Sequence, residues 1–351
     1  MQRAVGLGFV GAGEIAVESA TAVRDASTTA LAAVFDLRDD LSADLVARFG
    51  GRVAASLDDL LGDPDVEAVY VCLPHFLHRE TSERAAAAGK HVFVEKPMGV
   101  SVADAEAIVA ACERYGVACG VPFVVREAPA YALARELVAE GRVGDVTGFR
   151  ITYRGDKPAS YWTGGWSGRA TGDWRMRWST AGGGVLVMNA IHDLDAVLWI
   201  TGLEVERIHG AIATTMGPGE VEDVGLAILE SAGGALGSVE ALGAVPGGEG
   251  PGTRWINRIY GTRGQILLPT PWGRDALAVF GRGGGWEEID AAARRPGEAR
   301  TRTFEAFGAA LLDGVEPPVP GRDGVRASRL IHAIYSAARS GGPIEVAALS
   351  D

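Results

Sequence analysis

The first third of the chain alternates short apolar runs with segments of helical periodicity. The runs are rich in Val, Phe and Tyr, and the segments between them repeat apolar positions every three or four residues. This alternation predicts strands joined by helices, and therefore a parallel sheet with both faces covered. We expect a doubly wound α/β domain of the Rossmann type over residues 1–123. Its predicted strands are 4–11, 31–36, 68–74, 91–97 and 117–123.

From about residue 124 the pattern changes to one helix, ending at Gly141, followed by strand-like stretches. Short turns separate these stretches, and they show no helical repeat between them. Strands in such a series pair mostly antiparallel. We therefore expect residues 124–351 to form an α+β domain with a large, mostly antiparallel sheet, closed by a helix over 325–339. The predicted strands are 146–155, 205–216, 223–231, 234–245, 254–269 and 276–283.

Composition and charge narrow the class of protein. The chain has 351 residues, of which 47% are hydrophobic and 22% charged, a globular balance with enough length for two domains. Its net charge is −12, from 45 acidic and 33 basic residues. A nucleic-acid partner is not expected, because a phosphate-binding surface needs a basic stripe.

The three cysteines, Cys72, Cys112 and Cys119, lie in apolar surroundings. They suggest reduced core thiols, with a disulfide or a metal role as the alternative. No histidine or cysteine pair has zinc-ligand spacing, so no metal is predicted. The N-terminal stretch lacks a signal-like apolar run, and no 18-residue apolar span follows. We expect a cytoplasmic protein without a membrane partner.

A glycine turn, "GFVGAGEIA" (8–16), stands between the first strand and the first helix. Gly11 would permit the tight turn, Gly13 would let the backbone approach a pyrophosphate, and Ala16 would keep helix and strand close. The first residues of the helix would offer N–H groups to the phosphates. A plain tight turn is the alternative. The cofactor residues predicted in this turn are Gly11, Ala12, Gly13, Glu14 and Ile15.

Asp36 ends the second predicted strand, about 20 residues beyond the glycine turn. A carboxylate there accepts hydrogen bonds from the ribose hydroxyls and repels a 2′-phosphate, which favours NAD. Arg38 could pair with that phosphate, so NADP remains possible. Leu37, between them, is also placed at the cofactor.

Lys96 follows a predicted buried strand in "VFVEKPMGVS" (92–101). Open α/β sheets bind ligands outside the carboxyl ends of their strands, so this lysine would stand near the nicotinamide. Partial burial and a cationic ring would lower its pKa, and it could then exchange a proton with a substrate hydroxyl. A surface ion pair of the neighbouring Glu95 is the alternative.

These motifs resemble the Gfo/Idh/MocA family of glucose–fructose oxidoreductases and inositol dehydrogenases. The resemblance runs from "GFVGAGEIA" through "CLPHFLHRETSERAAAAGKHVFVEKPMGVS" and "LVAEGRVGDV" to "GGGVLVMNAIHDLD", "IYGTRGQI" and "ASRLIHAIYSAARSG". It implies a nicotinamide dinucleotide in the N-terminal domain, a substrate pocket shaped by the C-terminal domain, and a homodimer or homotetramer formed through the open face of the second sheet. It also implies that Lys96 and Glu95 contact the cofactor and that Leu73, Pro74, His75 and His78 line the nicotinamide-side ribose.

The helix predicted to begin at Gly184 places Met188, His192 and Asp195 on nearby faces. His192 is expected to contact substrate, with Asp195 fixing its tautomer; a satisfied core histidine is the alternative. Many dehydrogenases of the family carry aspartate where Met188 stands, and methionine cannot ionise. We therefore expect Lys96 to move the proton, His192 to orient or assist, and Asn189 to reach a substrate hydroxyl.

The stretch 161–179 holds four of the eight tryptophans, with arginines between them. Tryptophan faces suit the C–H faces of a sugar, and arginine suits a carboxylate or phosphate; packing on the core and solvation are the alternatives. The residues predicted to contact substrate are Arg126, Trp162, Trp174, Arg175, Asn189 and His192.

Together these features predict an NAD(P)-dependent oxidoreductase that transfers hydride between nicotinamide and a ring CH–OH or C=O group of a sugar, cyclitol or related polyol. Two alternatives keep the fold. One is redox-neutral cleavage of a glycoside through transient oxidation, suggested by Met188. The other is a cofactor-binding regulator without catalysis, which the presence of Lys96 and His192 disfavours.

Overall fold

The computed structural model describes residues 3–248, 254–271 and 275–349. Its strands are β1 (Val5–Val10), β2 (Thr29–Phe35), β3 (Arg52–Val53), β4 (Ala68–Val71), β5 (His91–Val94), β6 (Cys119–Gly120), β7 (Val146–Arg154), β8 (Val205–Ala213), β9 (Val224–Ser231), β10 (Leu236–Leu242), β11 (Asn257–Gly261), β12 (Gly264–Leu268), β13 (Ala276–Gly281), β14 (Gly285–Asp290) and β15 (Ile344–Glu345).

Eleven α-helices are present in the described residues. They are α1 (Glu14–Asp25), α2 (Asp39–Phe49), α3 (Leu57–Leu61), α4 (His78–Ala87), α5 (Val102–Tyr115), α6 (Pro129–Ala139), α7 (Tyr161–Gly164), α8 (Trp178–Ala181), α9 (Ile191–Thr201), α10 (Ala299–Asp313) and α11 (Gly321–Ser340).

The chain forms two compact units, and neither is continuous in sequence. Unit 1 consists of residues 1–122, 160–182 and 300–326, and unit 2 of residues 123–159, 183–299 and 327–351. The predicted division was continuous, at residue 123, and the units differ from it by the two segments that return to unit 1. Phe304 and Phe307 of α10 explain one return, because both are buried in the core beside Phe9 and Tyr70.

Unit 1 contains a six-stranded sheet in the order β3-β2-β1-β4-β5-β6. Every pair in it is parallel. Phe93 of β5 stacks on Phe307 of α10, with ring centroids 4.1 Å apart. The strand order reverses beside β1, and in such sheets this switch point carries the ligand crevice at the carboxyl ends of the strands.

Unit 2 contains a nine-stranded sheet in the order β14-β13-β12-β11-β7-β10-β9-β8-β15. The pair of β7 with β10 is parallel, and the other pairs are antiparallel. Buried and exposed positions alternate along β9 and β10, so one face packs on the core and the other faces away from it. The predicted fold class is confirmed for both sheets.

Three details differ from the predicted elements. The strand predicted at 117–123 shortens to β6, because Val117 N–H caps α5 and Val121 N–H pairs with Val319 O instead. The stretch 254–269 is a hairpin of β11 and β12. The helix α10 was not predicted.

Within the described residues, the segment Trp178–Thr201 is long and apolar enough to cross a membrane by length and composition alone. However, 83% of its apolar window is buried in the structure, as in the core helix of a folded domain.

Candidate functional site

The glycine turn follows β1 in unit 1 and opens α1. Gly11 has a φ of 104° and donates its N–H to Phe35 O at 2.8 Å. A Cβ on Gly11 would lie 2.5 Å from Cys72 O, so a side chain would not fit there. At Gly13, the nearest atom to an added Cβ is 3.7 Å away. The turn therefore offers open backbone at the start of a helix, as a pyrophosphate requires.

Asp36 lies directly after β2, where two backbone groups fix its carboxylate. Oδ2 accepts the N–H of Ala12 at 2.7 Å, and Oδ1 accepts the N–H of Arg38 at 2.9 Å. Each oxygen keeps a lone pair for a ribose hydroxyl. Leu37 is 90% exposed, an unusual state for leucine that suits contact with a flat apolar base. These residues fit the adenosine half of a dinucleotide.

The Arg38 guanidinium pairs with Asp40 through two hydrogen bonds, of 2.8 and 2.6 Å. These hydrogen bonds raise the pKa of Arg38 above its usual range and lower the pKa of Asp40. A guanidinium already bound to a carboxylate attracts a 2′-phosphate less than an unpaired one would.

The segment 160–182 contacts the glycine turn from within unit 1. The Glu14 carboxylate accepts the N–H groups of Trp166 at 3.1 Å and Ser167 at 2.5 Å. The Arg169 guanidinium donates to Ala12 O at 2.8 Å and pairs with Asp44 at 2.7 Å. Glu14, predicted to bind cofactor, thus holds this segment with its side chain. Arg169, one of the arginines between the tryptophans of 161–179, is held by Ala12 O and Asp44.

Lys96 lies two residues beyond β5 and is half-buried. Burial lowers the pKa of its ammonium, an effect that Glu95 opposes and that Arg300 and Arg175 reinforce. Glu95 is itself buried, and it accepts a 2.6 Å hydrogen bond from the Tyr70 hydroxyl. The Glu95 carboxylate is therefore fixed at the residue before the lysine.

Two histidines lie between β4 and β5 in the chain and are held by backbone carbonyls. His78 contacts Pro97 O through Nδ1 and Leu73 O through Nε2, both at 2.8 Å. His75 Nδ1 lies 2.7 Å from Ala181 O. Burial lowers the pKa of both rings, that of His75 well below its usual value. Neutral, rigid rings of this kind can line a ligand without competing for a proton.

The predicted aromatic residues of 160–182 divide by exposure. Trp162 is buried and packs edge-on against Tyr161, with centroids 5.7 Å apart. Trp174 is half-buried, and its ring meets that of His75 edge-on at 4.6 Å. The Arg175 guanidinium lies 4.5 Å from the Trp174 ring centroid. Trp174 and Arg175 are thus grouped with His75, whereas Trp162 fits the packing alternative.

In unit 2, the histidine helix begins with a π-helical turn, Leu186–Ala190, and continues as α9. Glu222 caps its start: the carboxylate accepts the N–H groups of Gly184 at 2.6 Å and Leu186 at 2.9 Å, and Glu222 O accepts that of Val185 at 3.0 Å. Burial raises the pKa of Glu222 despite these bonds. The cap fixes the helix start, and π turns often occur at functional sites.

His192 is buried in α9 and meets the Phe123 ring edge-on at 6.0 Å. Asp195, predicted to orient His192, pairs with Arg126 through both carboxylate oxygens, at 2.7 and 2.5 Å. Both partners of this ion pair are buried. Arg126 is thus bound in a structural pair, which competes with its predicted contact to substrate.

Asn189, in the π turn, accepts a hydrogen bond from the Lys157 ammonium at 2.5 Å. Lys157 lies three residues beyond β7 and is buried. Lys157 is not among the site residues predicted from the sequence, although lysine is rare here: the chain has 30 arginines and only three lysines. Among the predicted site residues, unit 1 holds the cofactor set, Lys96, Trp162, Trp174 and Arg175, and unit 2 holds Arg126, Asn189 and His192.

Two family models match the chain. The model described as an oxidoreductase family with an NAD-binding Rossmann fold covers residues 5–123, and that of the GFO/IDH/MocA C-terminal domain covers residues 131–267. The first match confirms the predicted NAD-binding domain.

Related sequences are sugar oxidoreductases. The chain is 34% identical to 1,5-anhydro-D-fructose reductase of Ensifer adhaerens over 174 residues, 49% of this chain and 49% of that protein. It is 28% identical to levoglucosan dehydrogenase of Pseudarthrobacter phenanthrenivorans over 261 residues, 67% of this chain and 64% of that protein. The alignments thus span between about half and two thirds of these relatives.

Solved structures match over nearly the full length. Aldose-aldose oxidoreductase from Caulobacter crescentus, complexed with glycerol, has a TM-score of 0.86 and 28% identity, covering 98% of this chain and 100% of that one. A levoglucosan dehydrogenase in complex with NADH and levoglucosan has a TM-score of 0.87 and 26% identity, covering 98% of this chain and 100% of that one.

Proposed function

Because the chain belongs to the Gfo/Idh/MocA family of oxidoreductases, we propose that it transfers hydride between a nicotinamide dinucleotide and a ring CH–OH or C=O group of a sugar, cyclitol or related polyol. The observation that carries the proposal is the half-buried Lys96, which follows β5 of a dinucleotide-binding sheet and has a lowered pKa. The fixed carboxylate of Asp36 and the open backbone at Gly13 support the cofactor half.

When bound, the dinucleotide supplies the acceptor or donor of hydride. Oxidation of a CH–OH group also releases the hydroxyl proton, and in this proposal the neutral Nζ of Lys96 takes it. In the direction of reduction, the Lys96 ammonium returns the proton to the new alkoxide oxygen. His192 orients the substrate or assists as a second acid or base. Met188 contributes no proton, because a thioether has none to give.

Turnover of a panel of polyols tests the proposal. Levoglucosan, myo-inositol, scyllo-inositol, D-xylose and 1,5-anhydro-D-fructose would be assayed with both dinucleotides, following the absorbance of the reduced cofactor. We expect Lys96→Met to lower kcat by about 100-fold or more, since loss of a general base costs that much. Binding of NADH, measured by fluorescence, should persist.

Lys90→Met is the matched control, because the Lys90 ammonium donates to the backbone carbonyls of Asp63 and Val66 in the same unit. It should turn over near the wild-type rate. If Lys96→Met turned over at the wild-type rate, Lys96 would not be the residue that exchanges the proton with substrate. Cleavage of a glycoside without net change in cofactor absorbance would favour the redox-neutral cycle, and tight NADH binding with no turnover would favour a regulator.

The rate should also depend on pH in a direction set by the Lys96 pKa. Burial lowers the Lys96 pKa from its usual value, so the neutral form that accepts a proton gains population at a lower pH than for an exposed lysine. Oxidation should therefore accelerate as pH rises through the lowered pKa, and reduction should slow over the same range. A pH profile of kcat in both directions measures this, and parallel profiles would contradict it.

A further inference from the structure

The three lysines of this chain are exceptions in a protein that uses arginine at 30 of its 33 basic positions. Lys90 caps two backbone carbonyls, and Lys96 belongs to the proposed chemistry. Lys157 has no part in either. A compact ammonium and a planar guanidinium are not interchangeable at a buried site. A lysine at buried position 157, in a chain that otherwise uses arginine, therefore indicates a requirement for the ammonium group.

Lys157 is held close to the start of the histidine helix within unit 2. Its backbone N–H donates to Gly243 O at 3.3 Å, which ties it to the chain just after β10. The side chain is buried, and its Nζ lies 2.5 Å from Asn189 Oδ1. Asn189 precedes His192 by three positions, at the point where the π turn leads into α9.

The ammonium determines which way the Asn189 amide points. An ammonium group can only donate hydrogen bonds, so the atom that faces it must be the carbonyl oxygen. The NH₂ group then lies on the opposite branch of the amide. Within 185–192, Asn189 is partly exposed while the other seven residues are buried. Asn189 is therefore the partly exposed residue of this helix start, and its NH₂ group can donate a hydrogen bond.

We propose that Lys157 and Asn189 form a donor pair that recognises an acceptor oxygen (hydroxyl, ether or carbonyl) of the polyol. Lys157 fixes and polarises the amide, and the Asn189 NH₂ group contacts the substrate. The inference rests on the proposed function. An acid at position 188 would accept a hydrogen bond from a substrate hydroxyl, whereas this pair donates one. Met188 itself is buried, and a thioether is only a weak acceptor.

Asn189→Asp is the sharpest test, because it keeps the shape and the contact with Lys157 but replaces the donor NH₂ by an acceptor oxygen. Calorimetric titration of NADH-saturated protein with each panel polyol, together with steady-state kinetics, gives affinity and turnover. We expect Kd and KM for the best polyol to rise about tenfold or more, since a well-placed hydrogen bond is lost. The affinity for NADH should not change.

Lys157→Met tests the orienting role. It should weaken polyol binding in the wild-type background and have little further effect in the Asn189→Ala background, because the amide it orients is then gone. Lys90→Met controls for loss of an ammonium that is held by hydrogen bonds within the protein, and thermal melting reports any loss of folding.

Unchanged polyol affinity in Asn189→Asp would overturn the inference, since a purely structural asparagine tolerates a carboxylate beside an ammonium. Additive effects of the two substitutions would overturn the role of Lys157. Failure of the wild-type protein to bind any panel polyol overturns both this inference and the proposed function. If the wild-type protein binds and turns over a polyol and the variants bind it with the same affinity, the inference about Lys157 and Asn189 is overturned and the proposed function stands.

Discussion

Asp36 is the residue on which the choice between the two dinucleotides depends. Its carboxylate is held by the N–H groups of Ala12 and Arg38, so it cannot turn away from a 2′-phosphate. Arg38 is paired with Asp40 and offers little compensation. Two negative charges held close together would repel each other, and NAD should therefore be preferred.

Replacing Asp36 by serine should shift that preference toward NADP. The substitution removes both the repulsion and the charge-assisted hydrogen bonds to the ribose, which together are worth about tenfold or more in relative kcat/KM for the two cofactors. Kinetics with NAD and NADP on the same polyol measure the ratio. Asp39→Ser, at the first residue of α2, removes one carboxylate without touching Asp36 and should leave the ratio unchanged. If both variants keep the wild-type ratio of kcat/KM for NAD and NADP, Asp36 does not determine the cofactor preference.

The structural roles of the residues in and after the glycine turn could be predicted from the sequence, because each role has a local cause. Gly11 needs a positive φ, and Asp36 follows directly from the end of a strand. The partner of Glu14 could not be predicted, because Trp166 and Ser167 lie more than 150 positions away along the chain. Local pattern carries no information about such a contact.

At the scale of elements, the start of the histidine helix depends on two glycines and one buried acid. A Cβ on Gly183 would lie 2.1 Å from the Tyr335 hydroxyl oxygen, and a Cβ on Gly184 would lie 1.8 Å from Glu222 O. Tyr335 in turn donates to Glu222 Oε1 at 3.0 Å. The "GGG" motif thus leaves room for the cap. The sequence predicted the helix but not the π turn, since its residues have ordinary helical periodicity.

Gly184→Ala should destabilise the protein by about 2 kcal/mol or more, because the added methyl group meets backbone rather than a flexible side chain. Urea unfolding followed by circular dichroism measures the free energy of unfolding. Gly202→Ala is the matched control at the other end of α9: no atom lies within 4 Å of an added Cβ, so only the strain of its positive φ, about 1 kcal/mol, should appear. Equal losses in both variants would show that Gly184 is not sterically constrained.

On the scale of the whole molecule, the sequence predicted both sheets but not the way in which the chain divides between the units. The apolar residues of α10 recur at 304, 307 and 310, a visible helical repeat, yet Phe304 and Phe307 pack in a core with strand residues more than 200 positions earlier. Such returns depend on tertiary contacts, which a single sequence does not display. The lysine count, by contrast, was available from the sequence and would have singled out Lys157.

The second sheet keeps one apolar patch on its outward side. Leu226 and Ile228 of β9 and Leu236 of β10 are 48%, 53% and 55% exposed, on adjacent antiparallel strands. Neighbouring exposed apolar side chains on an otherwise regular sheet face are typical of an interface. We expect this face to pair with a second copy of the chain, since a broad sheet surface can match its own copy about a two-fold axis.

Ile228→Asp should therefore shift the protein from oligomer to monomer, because the interface would bury an unpaired carboxylate. Size-exclusion chromatography with light scattering, at several protein concentrations, measures the mass. Val315→Asp places the same charge at a residue that is 58% exposed in unit 1 and should leave the mass unchanged. A wild-type protein that is monomeric at every concentration would exclude this interface. An Ile228→Asp variant with the wild-type mass would mean that any oligomer forms through another surface.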